Sequence, residues 1–115
     1  MCNEVNWKDL KEFKAVSIAS SILKFTGLNK YFRNLKATAT ANFTLAVTRI
    51  KNGGTYWLAI TKNTGSDSDV VITLPSGSVV SNSSDTTITL AGIDGIEYLI
   101  EFTYDGTNYI FSLNS

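Results

Sequence analysis

Histidine is absent from this chain of 115 residues, which also contains only one cysteine and one proline. Without histidine the chain lacks the commonest general base and the commonest transition-metal ligand. A single cysteine excludes both an internal disulfide and a zinc site built from several thiolates. The sequence also contains no Gly-x-Ser-x-Gly motif and no glycine-rich phosphate-binding motif. We therefore expect a protein that is not an enzyme and that uses no cofactor and no metal ion.

Ten basic and ten acidic residues cancel in the whole chain, but they are unevenly distributed. Residues 1–36 hold seven Lys or Arg and three Asp or Glu, whereas residues 37–115 hold three and seven. This asymmetry indicates a basic first segment and an acidic body with different partners, although two solvated faces explain it equally well. The basic segment is too dilute in charge to predict a nucleic-acid partner.

The beginning of the sequence does not resemble a secretory signal. Met1 and Cys2 are followed by charged residues rather than by an apolar segment. No window of the chain approaches the roughly 18 apolar residues that a membrane-spanning helix needs. We expect a protein without a signal peptide, made in the cytoplasm, and with no membrane partner.

Alternating apolar and polar residues dominate the chain after residue 35, and this period of two predicts β-strands. The predicted strands lie near residues 36–40, 43–50, 55–62, 70–74, 78–80, 86–90, 96–104 and 109–113. Asn52-Gly53 predicts a tight hairpin that joins residues 43–50 to residues 55–62. We therefore expect an all-β fold over residues 26–115, an antiparallel β-sandwich or partly open barrel of about six to eight short strands.

Residues 1–25 are expected to form an N-terminal arm or a first element, and the sequence leaves its conformation open. Asn6 is a candidate cap for a short helix with an apolar face. Alternation over residues 15–24 indicates a strand equally well. We expect the arm to contact an acidic or apolar partner surface. The predicted contacts are Trp7, Lys8, Leu10, Lys11, Phe13 and Lys14.

Trp57 is the predicted partner contact in the body of the protein. Tyr56, Leu58 and Ile60 alternate toward the predicted core, so Trp57 points to the opposite face. An outward tryptophan on a strand is typical of a partner contact or of a second packing layer. We favour a contact between subunits, and a glycan-binding surface is the alternative.

Two acidic features are weaker candidates for chemistry. The loop over residues 63–69 has oxygen ligands suited to calcium but lacks the bidentate Glu of the twelve-residue calcium loop, so a solvated turn is the preferred interpretation. Glu97 and Glu101 lie four residues apart on a predicted strand. That spacing is about 13 Å, which is too long for the paired acids of a glycosidase on one strand.

Four segments together resemble a known family. They are residues 38–47, 51–65, 69–75 and 100–109, and the last contains the sequence Tyr-Asp-Gly-Thr-Asn-Tyr. This succession, covering about residues 35–113, resembles a β-sandwich module of tailed-phage virion proteins, notably tail-fibre, head-fibre and capsid-decorating proteins. Residues 76–84 depart from the family, in which many members have a Trp-rich segment after the proline.

The resemblance implies a structural protein of the virion that has no catalytic residues. Such a protein decorates the capsid or forms part of a head or tail fibre, and it contacts other capsid or fibre subunits. The resemblance also implies a homo-oligomer or a protein present in many copies on the particle. The alternative function is that of a small glycan- or receptor-binding β-sandwich module.

Overall fold

The computed structural model describes residues 13–26, 34–48, 50, 53–81 and 85–114, and these residues form ten strands. The strands are β1 (Phe13–Ala15), β2 (Ile22–Thr26), β3 (Asn34–Ala39), β4 (Phe43–Thr48), β5 (Thr55–Lys62), β6 (Val70–Thr73), β7 (Ser78–Val80), β8 (Thr87–Leu90), β9 (Glu97–Tyr104) and β10 (Tyr109–Asn114). Within these ranges there is no helix, and hence none that is long and apolar enough to cross a membrane.

The strands form two sheets, which we name the large sheet and the small sheet. The large sheet has the order β1-β3-β5-β9-β10-β7, and the small sheet has the order β2-β4-β6-β8. The first nine strands alternate between the two sheets along the chain. Neighbours such as β3 and β5, or β2 and β4, are therefore separated by a strand of the other sheet and run parallel. Among the pairs formed by the ten described strands, β5–β9, β9–β10 and β6–β8 are antiparallel.

The all-β prediction is confirmed, and the six to eight strands expected over residues 26–115 correspond to the eight strands β3 to β10. Two details of the prediction are wrong. The two sheets are mixed rather than antiparallel. The predicted hairpin at Asn52-Gly53 does not form, because β4 belongs to the small sheet and β5 to the large sheet. Gly53 does have a positive φ of +83°, and its N–H donates to the carbonyl of Tyr104 at 2.7 Å. The positive φ of Gly53 therefore belongs to a connection between the two sheets. A glycine with positive φ can occur in such a connection as well as in a hairpin turn.

The turn at Asp105-Gly106-Thr107-Asn108 joins β9 to β10 as an antiparallel hairpin. Asp105 Oδ1 accepts hydrogen bonds from the backbone N–H groups of Thr107 and Asn108 at 2.8 and 2.7 Å. These bonds lower the pKa of Asp105, with the bond from Asn108 contributing most. The turn is formed by the aspartate side chain itself.

One apolar core lies between the two sheets and draws on both of them. Phe25 of the small sheet packs edge-on against Tyr56 and Phe102 of the large sheet, with ring centroids 5.5 and 5.2 Å apart. Phe102 also stacks on Phe111 at 4.9 Å. The largest fully buried side chains include Phe25, Phe102, Phe111, Leu23, Leu45, Leu58, Ile60, Ile72, Leu90, Ile100 and Val70.

Residues 13–25, the described part of the predicted arm, hold β1 and most of β2. Leu23 and Phe25 are buried in the core. The strand expected over residues 15–24 is divided into two strands by a turn at Ser20 and Ser21, which have φ of +54° and +61°. Residues 1–12, including the candidate helix cap Asn6, lie outside the described residues.

Candidate functional site

The outward-pointing side chains of the large sheet form a broad face that we name the outer face. On each strand these residues alternate with the core residues, and strand register places them in rows. The central members of the outer face are Asn34, Lys36, Thr38, Trp57, Ala59, Thr61, Glu97, Leu99, Glu101 and Thr103. The outer face therefore combines threonines, charges of both signs and one tryptophan.

Trp57 lies at the centre of the outer face, on the third strand of six. It is in register with Asn34 on β3 and with Glu101 on β9, and Asn34 is in register with Phe13 on β1. Trp57 is half-buried and Asn34 is only 7% exposed. Two of the predicted contact residues, Phe13 and Trp57, therefore share one row on one face.

Ala59, two residues after Trp57 on β5, also lies on the outer face but is only 1% exposed. Its neighbours on the adjacent strands are Lys36 and Leu99, whose side chains are much longer. A small residue between two long ones is covered by them. The surface next to Trp57 is therefore formed by Lys36 and Leu99.

The other predicted contacts of the arm have different locations. Lys14 lies on β1 and is exposed. Trp7, Lys8, Leu10 and Lys11 lie outside the described residues. The structure thus places Phe13 and Trp57 in one row of the outer face, and it does not describe the other four predicted contacts.

A shallow pocket of about 180 Å³ opens on the outer face between β1, β3, β5 and β9. Its lining residues are Ala15, Val16, Lys36, Ala37, Thr38, Thr61 and Glu97. Most of its lining residues are polar, and Lys36 and Glu97 contribute one charge of each sign. We name it the β1–β3 pocket.

A second cluster lies at the end of β5, where the side chain of Lys62 is completely buried. Its Nζ donates a hydrogen bond to the carbonyl of Ser68 and one to Asp94 Oδ1 at 3.3 Å. Burial of a charged ammonium is costly unless it is paired and hydrogen-bonded. Sequence reasoning missed this residue, although the alternation of β5 places position 62 on the same side as Leu58 and Ile60.

Asp94 accepts most of the hydrogen bonds in this cluster. Its Oδ1 accepts from the backbone N–H of Thr64 at 3.0 Å and from the Thr64 hydroxyl at 3.0 Å, and its Oδ2 accepts from the N–H of Gly65 at 2.7 Å. The side chain of Asp94 is 18% exposed. The bond from the Thr64 backbone, aided by those from Gly65 and Lys62, holds the pKa of Asp94 far below its usual range.

Further hydrogen bonds tie the loop over residues 63–69 to the turn over residues 91–96. Asp67, with a φ of +55°, accepts a hydrogen bond from the N–H of Asp94 at 2.8 Å. The Thr64 hydroxyl accepts from the N–H of Ser68 at 3.0 Å. We name this network the Lys62–Asp94 network, because these two charges lie at its centre.

The Lys62–Asp94 network changes the interpretation of the candidate calcium loop. The carbonyl of Ser68 and the carboxylate of Asp94 are bonded to the lysine ammonium, a cation supplied by the chain itself. Among the described residues there is no group of three or more His, Cys, Asp or Glu arranged to hold a metal ion. The loop is exposed, as expected of a turn, but its backbone is fixed by Asp94 and Thr64.

The sequence motif Tyr-Asp-Gly-Thr-Asn-Tyr, which contributes most to the family resemblance, forms the tip of the β9–β10 hairpin. Tyr104 and Tyr109 face each other in register and stack with ring centroids 4.8 Å apart. The Tyr104 hydroxyl donates to the carbonyl of Gly106 at 3.0 Å. Tyr104, Asp105 and Tyr109 of this motif therefore stabilise the hairpin itself.

In comparisons with known proteins, no family model and no curated protein matches the chain.

Proposed function

We propose that this protein is a non-enzymatic structural component of a tailed-phage virion, which decorates the capsid or forms part of a head or tail fibre. It acts through contacts with other capsid or fibre subunits, as a homo-oligomer or in many copies on the particle. The observation that supports this proposal best is the outer face of a six-stranded sheet with Trp57 at its centre. The assignment to a phage particle rests on the sequence resemblance.

The outer face suits a protein partner for physical reasons. Tryptophan is enriched at interfaces because it gives a large contact area with little loss of conformational freedom. In its own row Trp57 is flanked by Asn34 and Glu101, and Leu99 in the next row is a further apolar side chain. An apolar centre with a polar surround is the usual composition of a subunit contact.

The proposal includes no catalytic centre, cofactor, nucleic acid or membrane. The two ionisable side chains with the most unusual surroundings, Lys62 and Asp94, are bonded to each other and to the loop that they hold. Their arrangement serves a rigid scaffold rather than a reaction. Rigid scaffolds whose outward residues make the contacts are what a virion protein requires.

Substitution of Trp57 tests the proposal on particles of the phage that encodes the chain. Trp57→Ala is expected to reduce incorporation into purified virions strongly, because it removes the central apolar contact, whereas Trp57→Phe retains most of it. Thr89→Ala on the exposed side of β8 is the matched control and should be incorporated like the wild type. Quantitative mass spectrometry of the particles measures the copy number, and thermal unfolding confirms that each variant is folded.

Two results would overturn the proposal. One is the absence of the wild-type chain from purified particles. The other is a glycan array on which wild-type protein binds a defined glycan, Trp57→Ala does not, and particle incorporation is unchanged by the substitution. The second result would establish the glycan-binding alternative.

A further inference from the structure

The edge strands of the two sheets are protected against pairing with other chains to different extents. The large sheet ends in β1 and β7, and the small sheet ends in β2 and β8. Lysine, which discourages edge-to-edge pairing, lies on β1 as Lys14 and on β2 as Lys24. β7 has only three residues, and the N–H of Ser78 is bonded to the carbonyl of Pro75. β8 has neither charge nor proline, and no described strand pairs with its outer side.

The hydrogen bonds between β6 and β8 show which backbone groups of β8 point outward. In an antiparallel pair, residues that exchange hydrogen bonds alternate with residues that do not. The N–H of Leu74 donates to the carbonyl of Thr86 at 3.3 Å, so the next bonded residue of β8 is Ile88. The N–H and C=O groups of Thr87 and Thr89 therefore point to the free edge.

The residue opposite Thr89 supports this alternation. Thr89 is in register with Val71 on β6. The N–H of Val71 donates to the Asn42 side chain at 2.8 Å, on the side of β4, and so points away from β8. The outer side of β8 thus offers two N–H and two C=O groups to another strand.

The side chains around this edge are uncharged. Among the residues of the four small-sheet strands, the one charged side chain is Lys24, on the opposite edge strand. Thr87 and Thr89 are exposed, as is Thr73 on the neighbouring strand β6. Two copies of such an edge can approach without repulsion between like charges, and threonine pairs on adjacent antiparallel strands are stabilising.

We propose that β8 of one copy pairs antiparallel with β8 of a second copy across a two-fold axis. Opposite residues must share one side of the sheet and direct their backbone groups at each other, so Thr87 of one copy lies opposite Thr89 of the other. Ile88 then lies on the axis, and each of the two Thr87–Thr89 pairs exchanges two hydrogen bonds. A register centred on Thr87 or on Thr89 would use fewer of the outward groups of the strand.

The proposed contact is closed. Because both copies use the same strand, it is isologous and stops at a dimer. The two four-stranded small sheets become one continuous sheet, with β2 and its Lys24 at both ends. The inference goes beyond the proposed function, since the outer face of the large sheet with Trp57 stays available to capsid or fibre subunits.

Sedimentation velocity of the purified full chain measures the dimer. Wild-type protein and Trp57→Ala are both expected to dimerise, because Trp57 lies on the other sheet. Thr89→Pro removes an outward N–H but no bond to β6, and should weaken dimerisation at least about tenfold. Thr89→Ala keeps that N–H and is the matched control, with an expected weakening of less than about fivefold. Thermal unfolding confirms that each variant is folded.

Charge substitutions test the register. Thr87→Lys combined with Thr89→Lys places like charges opposite each other and should weaken the dimer at least about tenfold. Thr87→Glu combined with Thr89→Lys places opposite charges in both pairs and should restore association. A register centred on either threonine would instead bring like charges together at the axis. Thr44→Lys, exposed on the inner strand β4, is the matched control and should dimerise like the wild type.

Amide hydrogen exchange measured by NMR identifies the strand directly. The N–H groups of Thr87 and Thr89 should exchange more slowly as the protein concentration rises, because they are bonded to the second copy only in the dimer. The N–H of Lys24, on the opposite edge strand of the small sheet, is the comparison and should exchange at a rate independent of concentration.

The inference is overturned if wild-type protein stays monomeric up to about 1 mM. It is also overturned if folded Thr89→Pro dimerises like the wild type, or if exchange at Thr87 and Thr89 does not depend on concentration. None of these results alters the incorporation of Trp57 variants into virions. Failure of the inference is therefore distinguishable from failure of the proposed function.

Discussion

At the scale of single residues, the charged pair Lys62 and Asp94 determines the conformation of an exposed loop. The strand alternation forces the lysine stem toward the core side of β5, and the ammonium then needs oxygen acceptors close by. Ser68 and Asp94 supply them, and the remaining lone pairs of Asp94 are satisfied by Thr64 and Gly65. A charge at the end of a strand thereby fixes two loops that are about 30 residues apart in sequence.

The depressed pKa of Asp94 predicts a defined loss of stability in acid. Because the folded state binds the proton more weakly, ionised Asp94 stabilises the fold above the ordinary aspartate pKa of about 3.9. That stabilisation decreases as the pH falls below this value toward the folded pKa. Asp94→Asn, which cannot titrate, should therefore lose less stability than the wild type between neutral pH and pH about 2. Urea unfolding across that range measures the slope.

Thr64→Val is the matched control for this pH effect. It removes one hydroxyl donor but keeps the carboxylate and the Thr64 backbone bond. Its loss of stability with falling pH should therefore lie between that of the wild type and that of Asp94→Asn. The pKa of Asp105 is also lowered, so Asp105 contributes to the loss of stability with falling pH in all three proteins. Equal slopes for wild type and Asp94→Asn would contradict the assignment of the acid sensitivity to Asp94.

At the scale of elements, the connections between strands depend on turns with positive φ. The turn between β1 and β2 is the strained example, because Ser20 and Ser21 both adopt left-handed conformations that favour Gly or Asn. Ala19 and Ile22 exchange two backbone hydrogen bonds of 3.1 and 3.0 Å around this turn. Two positive φ values in a two-residue connection are the geometry in which Asn-Gly is preferred.

Replacement of Ser20-Ser21 by Asn-Gly is expected to stabilise the protein by about 1 kcal/mol, because it relieves the left-handed strain. Urea denaturation gives the change in the free energy of unfolding. Ser76→Gly, in a turn where the residue has no positive φ, is the comparison and should give no gain. A loss of stability in the Asn-Gly variant would show that the serine side chains have a role beyond the turn geometry.

At the scale of the whole molecule, alternation of strands between the two sheets joins both sheets into one cooperative core. Phe25 reaches from the small sheet into an aromatic cluster of the large sheet, and Phe102 lies at the centre of that cluster. Tyr56 stacks on Phe102 at 5.4 Å. Each sheet buries its apolar face against the other sheet, so neither sheet is expected to be stable alone.

Phe102→Ala should therefore destabilise the entire fold by about 3–5 kcal/mol, the usual cost of a large cavity in a core. Circular dichroism and tryptophan fluorescence should report one coincident unfolding transition. Phe13→Ala, at a half-buried position on the edge strand β1, should cost less. Separate transitions for the two probes would contradict a single core.

The candidate site was predictable in part. Alternation identified Trp57 as an outward residue, because a strand of Tyr56, Leu58 and Ile60 leaves only one side for it. The neighbours of Trp57 were not predictable, since Asn34 and Glu101 reach it through strand pairing. Lys62 carried a usable signal in its strand position, but its partner Asp94 lies 32 residues away and no local pattern links them.

The sequence by itself determined that the fold is all-β, where most strands after residue 35 lie, and which side of most of these strands is apolar. These properties are local, since they depend on side-chain alternation and turn residues. Only the tertiary structure decided which strands pair, that many of them run parallel, and that β4 and β5 enter different sheets. Backbone hydrogen bonds are the same for every sequence, so pairing is settled by how the apolar faces of distant strands pack together.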